Sequence, residues 1–145
     1  LYRYFDDRDA LVRALAIESM DQMDAACAHL AFAPTFEAAL KGLMDAVIPM
    51  GAEFGFLASE SSTLDDDEVN ERYAQQKAAT RQMVEWGKST GEVDPTLPTP
   101  WVVELIDGLV WTGWSALAQG HVARRDSGRL AFEAAWRAVR NQEGG

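Results

Sequence analysis

Apolar residues recur at intervals of three and four positions through most of the chain, and this spacing restricts the fold most strongly. One run is separated by four, four, three, four and three residues, which places an apolar stripe along about five helical turns. It consists of Val12, Ala16, Met20, Met23, Cys27 and Leu30. No segment of useful length alternates with the period of a strand. We therefore expect an all-α protein in which this stripe packs against other helices.

Helix-starting and helix-breaking residues divide the first half of the chain. Asp6 is expected to cap the first long helix, because its side chain can accept a hydrogen bond from a free backbone amide. Thr35, which follows Pro34, marks the start of a second helix that Pro49 should end. The segment that follows, residues 50–62, is either one or two helical turns or an irregular loop.

The second half contains three further predicted helices. The acidic run at residues 63–68 should begin a long helix that ends near Gly91. A loop with three prolines follows, and Thr99 with Pro100 is typical of a cap and first helical residue. Asp126 or Ser127 is expected to cap the last helix. The pattern predicts about six helices and one domain over residues 6–145.

Composition limits the classes of function. The net charge of −10 would repel nucleic-acid phosphates, so the bulk of the chain is not expected to hold DNA. Cys27 is the single cysteine, which excludes an internal disulfide and a cysteine-rich metal site. There is neither a signal-peptide pattern nor an apolar run of the roughly 20 residues that a membrane span needs. We expect a cytoplasmic protein.

Catalytic patterns are missing from the sequence. His29 and His121 are far apart, and no zinc-protease, nucleophile-elbow or phosphate-loop motif occurs. We therefore assign no catalytic residue, no metal ligand and no cofactor, and we predict that the protein is not an enzyme.

The opening sequence LYRYFDDRDAL carries a family resemblance. It resembles the junction between the DNA-recognition helix and the following long helix in TetR family transcriptional regulators. The matching residues, in order, are Leu1, Tyr2, Tyr4, Phe5, Arg8, Ala10 and Leu11. The resemblance implies that residues 1–5 end the recognition helix, that the rest of the helix-turn-helix lies upstream of Leu1, and that residues 6–145 form the effector-binding and dimerisation domain.

The same resemblance implies a function. The expected protein is a ligand-responsive transcriptional regulator, in the first instance a repressor, that binds a palindromic operator as a homodimer. Tyr2, Tyr4 and Arg8 match positions that contact operator phosphates, whereas base reading would lie upstream. The alternative is a helical protein-interaction module without an effector.

TetR-like regulators hold the effector among the long helices. The corresponding candidates here are Met20, Met23, Cys27, Met44, Ile48, Phe54, Tyr73, Gln76, Met83, Trp86 and Trp111. One predicted helix face, which includes Tyr73, Gln76 and Met83, mixes hydrogen-bonding and apolar groups. We therefore expect a mostly hydrophobic small molecule with one or two polar groups. The alternative is that this face is partly exposed to solvent.

The helix beginning near residue 101 is apolar around most of its circumference, so it should be covered on more than one side. The family resemblance implies that the last two helices pair in a four-helix contact between two copies. The expected interface residues are Trp101, Leu105, Leu109, Gly113, Leu117, Phe132 and Trp136. Trp111 and Trp114 could line either the effector site or this interface.

Overall fold

The computed structural model describes residues 7–51 and 65–142 of the chain. Its helices are α1 (Arg8–Cys27), α2 (Phe36–Val47), α3 (Asp67–Ser89), α4 (Thr99–Ala118) and α5 (Arg124–Val139). Short 3-10 helices span Ala28–Phe32 and Ile48–Met50. Within these ranges the regular structure is helical apart from a bridge between Val93 and Arg140, so the all-α prediction is confirmed. The uncertain sixth helix lies in a segment that is largely outside the described residues.

The closed core lies where α5 packs against both α2 and α4. Phe36, Leu40 and Met44 stand at four-residue intervals on one face of α2 and are fully buried. Ile106 of α4 and Ala135 of α5 are buried with them. This face of α2 therefore forms the centre of the domain, and α2 contacts α1, α3 and α5.

The first two helices begin within one residue of the predicted caps. Thr35 accepts a hydrogen bond from the Ala38 amide at 3.1 Å, as predicted. The cap of α1 is Asp7 rather than Asp6: its carboxylate accepts from Ala10 at 2.8 Å. Asp6 and Asp7 can both cap a helix, so the sequence did not show which of the two neighbours does so.

The last two helices begin differently from the prediction. Pro98 occupies the cap position of α4, and the Thr99 hydroxyl instead donates to Glu85 at 2.7 Å. Helix α5 already begins at Arg124, so neither Asp126 nor Ser127 caps it. Gly128 lies inside α5. A Cβ atom at this position would stand 2.5 Å from the Asp45 carboxylate, which explains why the residue is a glycine. Its role is a close approach to α2 rather than a helix break.

A turn after α3 ties three helices together. The Asp94 amide donates to the Val139 carbonyl at 2.8 Å, and the Asn141 amide donates to the Glu92 carbonyl at 2.8 Å. The Glu92 carboxylate also accepts from the Phe36 and Glu37 amides at the start of α2. The turn thus fixes the ends of α2 and α5 against α3.

Helix α1 is held differently. Val12 and Ala16 are its buried residues, and charged side chains supply further contacts with α3. Arg13 pairs with Asp66 and Glu68 at the start of α3, and Arg72 pairs with two aspartates of α1. Most of the apolar stripe of α1 is therefore not buried in the closed core.

Candidate ligand cavity

A cavity of about 960 Å³ lies between α1 and helices α2, α3 and α4. Its size is at the upper end of the range for small-molecule sites. Cys27 and several alanines form part of its apolar surface. Its larger apolar lining residues are Met20, Met23, Leu30, Leu43, Val47, Val69, Tyr73, Met83, Trp86, Ile106, Val110, Trp111 and Trp114. The wall is therefore mainly apolar, with methionine and aromatic side chains that can repack around different shapes.

The wall on the α1 side consists of the second half of the apolar stripe. Met20, Met23, Cys27 and Leu30 all line the cavity. Burial raises the pKa of the Cys27 thiol, and the nearby Asp24 charge raises it further. Cys27 is therefore a neutral part of the wall. The stripe predicted from sequence faces a space rather than a closed helix contact.

Polar groups of the α3 wall have partners within the protein. The Gln76 amide donates to Asp24 of α1 at 3.0 Å, and the Thr80 hydroxyl donates to the Gln76 carbonyl at 3.2 Å. Tyr73 is 42% exposed and Trp86 is 37% exposed, although both line the cavity. The predicted mixed face thus combines a cavity wall with partial exposure to solvent.

Helix α4 supplies two adjacent indoles and a carboxylate. The Trp114 indole donates to the Val47 carbonyl at 3.1 Å, which fixes its ring in the core. Trp111 meets it edge to face, with ring centroids 5.2 Å apart, and is 41% exposed. Both tryptophans line the cavity, and Asp107 lies one helical turn before Trp111.

Asp107 belongs to a small ionic group that joins α3 to α4. The Tyr73 hydroxyl donates to its carboxylate at 3.2 Å. Lys77 pairs with Glu104 and stands 4.0 Å from Asp107. Burial raises the pKa of Asp107, whereas the Tyr73 hydrogen bond and the Lys77 charge lower it by less. Burial, together with the Asp107 charge, also raises the pKa of Tyr73, so the phenol remains a donor.

The structure brings most of the predicted effector-binding residues together. The ones that line the cavity are Met20, Met23, Cys27, Tyr73, Gln76, Met83, Trp86 and Trp111. Met44 and Ile48 do not line it, because both are fully buried in the core formed with α4 and α5. Phe54 lies outside the described residues. Asp107 and Lys77 were not selected from the sequence. The available signal was a pair of acidic residues, Glu104 and Asp107, within an otherwise apolar helix.

The predicted interface residues fall on two sides of the molecule. Trp101 is 62% exposed, and Leu105, Leu109 and Leu117 are partly buried. Gly113 faces inward, because a Cβ atom there would stand 2.8 Å from Ile48. The stacked rings of Phe132 and Trp136 are half-buried, and Trp136 also lies 6.2 Å from Phe36 of α2. Gly113 therefore packs within its own chain, and Trp136 contacts its own α2.

The residues predicted to contact phosphate are described in part. Arg8 is exposed at the first position of α1, beside the capping residue Asp7. Tyr2 and Tyr4 lie outside the described residues. Across residues 7–51 and 65–142, no three metal-binding side chains come together, and no helix is long and apolar enough to cross a membrane.

The arrangement of helices is similar to that of two solved structures. A TetR family transcription regulator from Marinobacter aquaeolei superposes with a TM-score of 0.69 at 20% identity, covering 97% of this chain and 77% of that chain. The chain has the TetR fold. The TetR-like regulator LfrR from Mycobacterium smegmatis gives a TM-score of 0.58 at 20% identity, over 92% of this chain and 73% of its own. No protein-family model matches the sequence, and no curated protein matches it.

Proposed function

We propose that the chain is the effector-binding and dimerisation domain of a TetR-type, ligand-responsive transcriptional regulator. The observation that carries this proposal is the 960 Å³ apolar cavity between α1 and the rest of a TetR fold. A helical protein-interaction module without an effector would not need such a space, because interiors normally pack closely. The cavity therefore favours the regulator over that alternative.

The position of α1 suggests how a ligand would alter DNA binding. We place the end of a helix-turn-helix at residues 1–5, immediately before α1, on the strength of the LYRYFDDRDAL resemblance. The second half of α1 lines the cavity, whereas its first half carries Arg8 toward the proposed DNA side. A ligand that pushes against Met20 and Met23 would shift the whole helix, since a helix moves as a rigid element.

Two copies would be required for a palindromic operator. The outward faces of α4 and α5 provide apolar side chains for pairing, with Trp101, Leu105 and Leu109 on α4 and Leu130 on α5. We propose that this surface forms the homodimer contact, that Tyr2, Tyr4 and Arg8 contact operator phosphates, and that ligand binding releases the repressor. Binding to chromosomal DNA would place the protein in the cytoplasm. The proposed role requires neither catalysis nor a cofactor.

The test uses the full coding sequence, its upstream intergenic DNA and a library of apolar small molecules. We expect the protein to retard that DNA in a gel-shift assay, and at least one compound that raises the melting temperature to release it. Ala16→Trp, which puts a bulky side chain at the cavity wall, should abolish the compound's effect while leaving retardation by the empty protein. The control is Ala78→Trp on the exposed face of α3, which lies outside both the cavity wall and the proposed pairing surface. The proposal would be contradicted if the protein converted the compound into a product, or if none of the compounds bound to it.

A further inference from the structure

The cavity wall carries an unequal set of charges. Among the described lining residues, Asp24, Lys77 and Asp107 carry a formal charge at neutral pH. A ligand entering the cavity meets these groups in a mainly apolar surrounding, where a charge that lacks a close partner has a large effect. The partners of each group therefore determine which ligand charge the cavity favours.

Asp24 is compensated within the protein. Arg72 approaches its carboxylate at 2.9 Å, and the Gln76 amide donates to it at 3.0 Å. Arg72 is bound to Asp21 as well, at 2.6 Å, so this group across α1 and α3 also carries one net negative charge. Asp24, however, contacts its arginine directly, and its side chain is 50% exposed, so both the arginine and water screen its charge. Asp24 serves to hold α1 against α3 and does not offer a ligand a group without a partner.

Asp107 is compensated far less completely. One cation, Lys77, is shared between Glu104 and Asp107, and its ammonium lies closer to Glu104. The remaining partner of Asp107 is the neutral Tyr73 hydroxyl. The Asp107 side chain is 24% exposed, against 62% for Glu104, so water screens Asp107 less. This group of three charges retains one negative charge at the cavity wall.

Aromatic rings stand near this charge. Tyr73 binds the carboxylate directly, and Trp111 follows one turn later on the same helix. Ring faces attract cations, and this attraction grows as water is excluded. A carboxylate beside aromatic rings is suited to a positively charged group with an apolar body, whereas a ligand anion would face the net negative charge.

We propose that the effector is a lipophilic organic cation whose charge lies against Asp107 and whose apolar body occupies the methionine- and tryptophan-lined space. This inference rests on the proposed function, because it assigns the cavity to an effector. Lys77 does not provide an anion site: it is already bound to one carboxylate and lies near another. The sign of the ligand charge is set by the single lysine shared by two acids.

The experiment compares two probes of nearly identical shape and opposite charge, the tetraphenylphosphonium cation and the tetraphenylborate anion. Binding to the 145-residue chain is measured by calorimetry and by quenching of tryptophan fluorescence in sodium buffer. We expect the cation to bind at least about tenfold more tightly than the anion, a ratio that one poorly compensated charge in a low-dielectric wall can supply. Added salt should reduce this ratio.

Three variants separate the role of Asp107 from general charge effects. Asp107→Asn should weaken binding of the cation about tenfold and should not weaken binding of the anion. Lys77→Gln removes the shared cation and should strengthen binding of tetraphenylphosphonium. Glu133→Gln removes the same unit of charge from α5, outside the cavity wall, and should leave both affinities within about twofold.

Two results would overturn the inference while leaving the proposed function intact: tighter binding of tetraphenylborate, or an Asp107→Asn variant that binds the cation as well as the parent chain. Binding of neither probe would also overturn the inference. In that case the compound screen against full-length protein decides the proposed function separately, because a neutral compound that releases DNA would preserve it. Circular dichroism and melting curves of each variant establish that a lost affinity does not come from unfolding.

Discussion

Burial raises the pKa of the Asp107 carboxyl, and this shift has a consequence for stability. Between the ordinary pKa of an aspartate, 3.8, and the higher value in the fold, the folded chain binds more protons than the unfolded chain. The contribution of Asp107 to stability is therefore fully present below pH 3.8 and is lost as the pH rises through the folded-state pKa. At neutral pH, the burial of the ionised Asp107 carboxylate therefore lowers the stability of the empty protein.

Asp107→Asn should accordingly stabilise the empty chain at pH 7.5. We expect a gain of up to about 1 kcal/mol, or a melting temperature higher by about 3 °C, because the amide can still accept from Tyr73 without the cost of a buried charge. The difference should disappear well below pH 4. Melting curves of the variant, the parent chain and Glu133→Gln over this pH range provide the measurement. A lower melting temperature of Asp107→Asn at pH 7.5 would show that the pairing with Lys77 outweighs burial.

At the residue scale, the sequence predicted the apolar wall better than the charged one. Met20, Met23 and Cys27 repeat at helical spacing, so their shared direction can be read without a structure. The importance of Asp107 depends on Lys77 being shared with Glu104, a contact between two helices. Sequence spacing within one helix contains no information about such a contact.

At the element scale, two kinds of contact hold α1 in place. Val12 and Ala16 are buried, whereas Arg13 and Arg72 connect the helices through exposed or partly exposed ion pairs. Such pairs contribute typically less than about 1 kcal/mol each and weaken in salt. The second half of α1, which also lines the cavity, should therefore open more readily than the core helix α2.

Arg72→Gln should make this opening measurable. The change removes the charge that binds Asp21 and Asp24, so we expect faster amide hydrogen exchange in the second half of α1 and a melting temperature within about 3 °C of the parent. Arg129→Gln is the matched control, because its ion pairs with Asp126 and Glu133 lie within α5. Equal exchange of α1 in both variants would mean that the ion pairs do not hold this part of the helix.

Helix positions were predictable where the signal was local. Thr35 caps α2 through an amide three residues away, and the sequence identified it. The second cap of α2, Glu92, lies 56 residues from Phe36, so no local pattern could indicate it. Gly128 is the converse case: glycine is typical of a break, yet here the close approach of α2 requires it inside α5.

At the scale of the whole molecule, the fold class followed from periodicity, but the division between inner and outer faces did not. Gly113, which was assigned from the sequence to a contact between copies, lies against Ile48 of its own chain. Trp136 likewise lies near Phe36. A helix that is apolar on most sides gives no preference for one neighbour over another, and its burial direction is decided by the other helices.

The surface left on α4 and α5 gives the last prediction. Trp101 is 62% exposed and Leu130 is 41% exposed, and Leu105 lies one turn after Trp101 on α4. A second copy would bury these apolar groups, whereas a glutamate in the contact would be desolvated beside its own symmetry mate. Leu105→Glu should therefore convert a dimer into a monomer in sedimentation velocity at micromolar concentration. Leu15→Glu on α1 places the same charge at an exposed leucine of another helix and should leave the dimer intact. A parent chain that sediments as a monomer, or equal dissociation by both variants, would remove the assignment of α4 and α5 as the pairing surface.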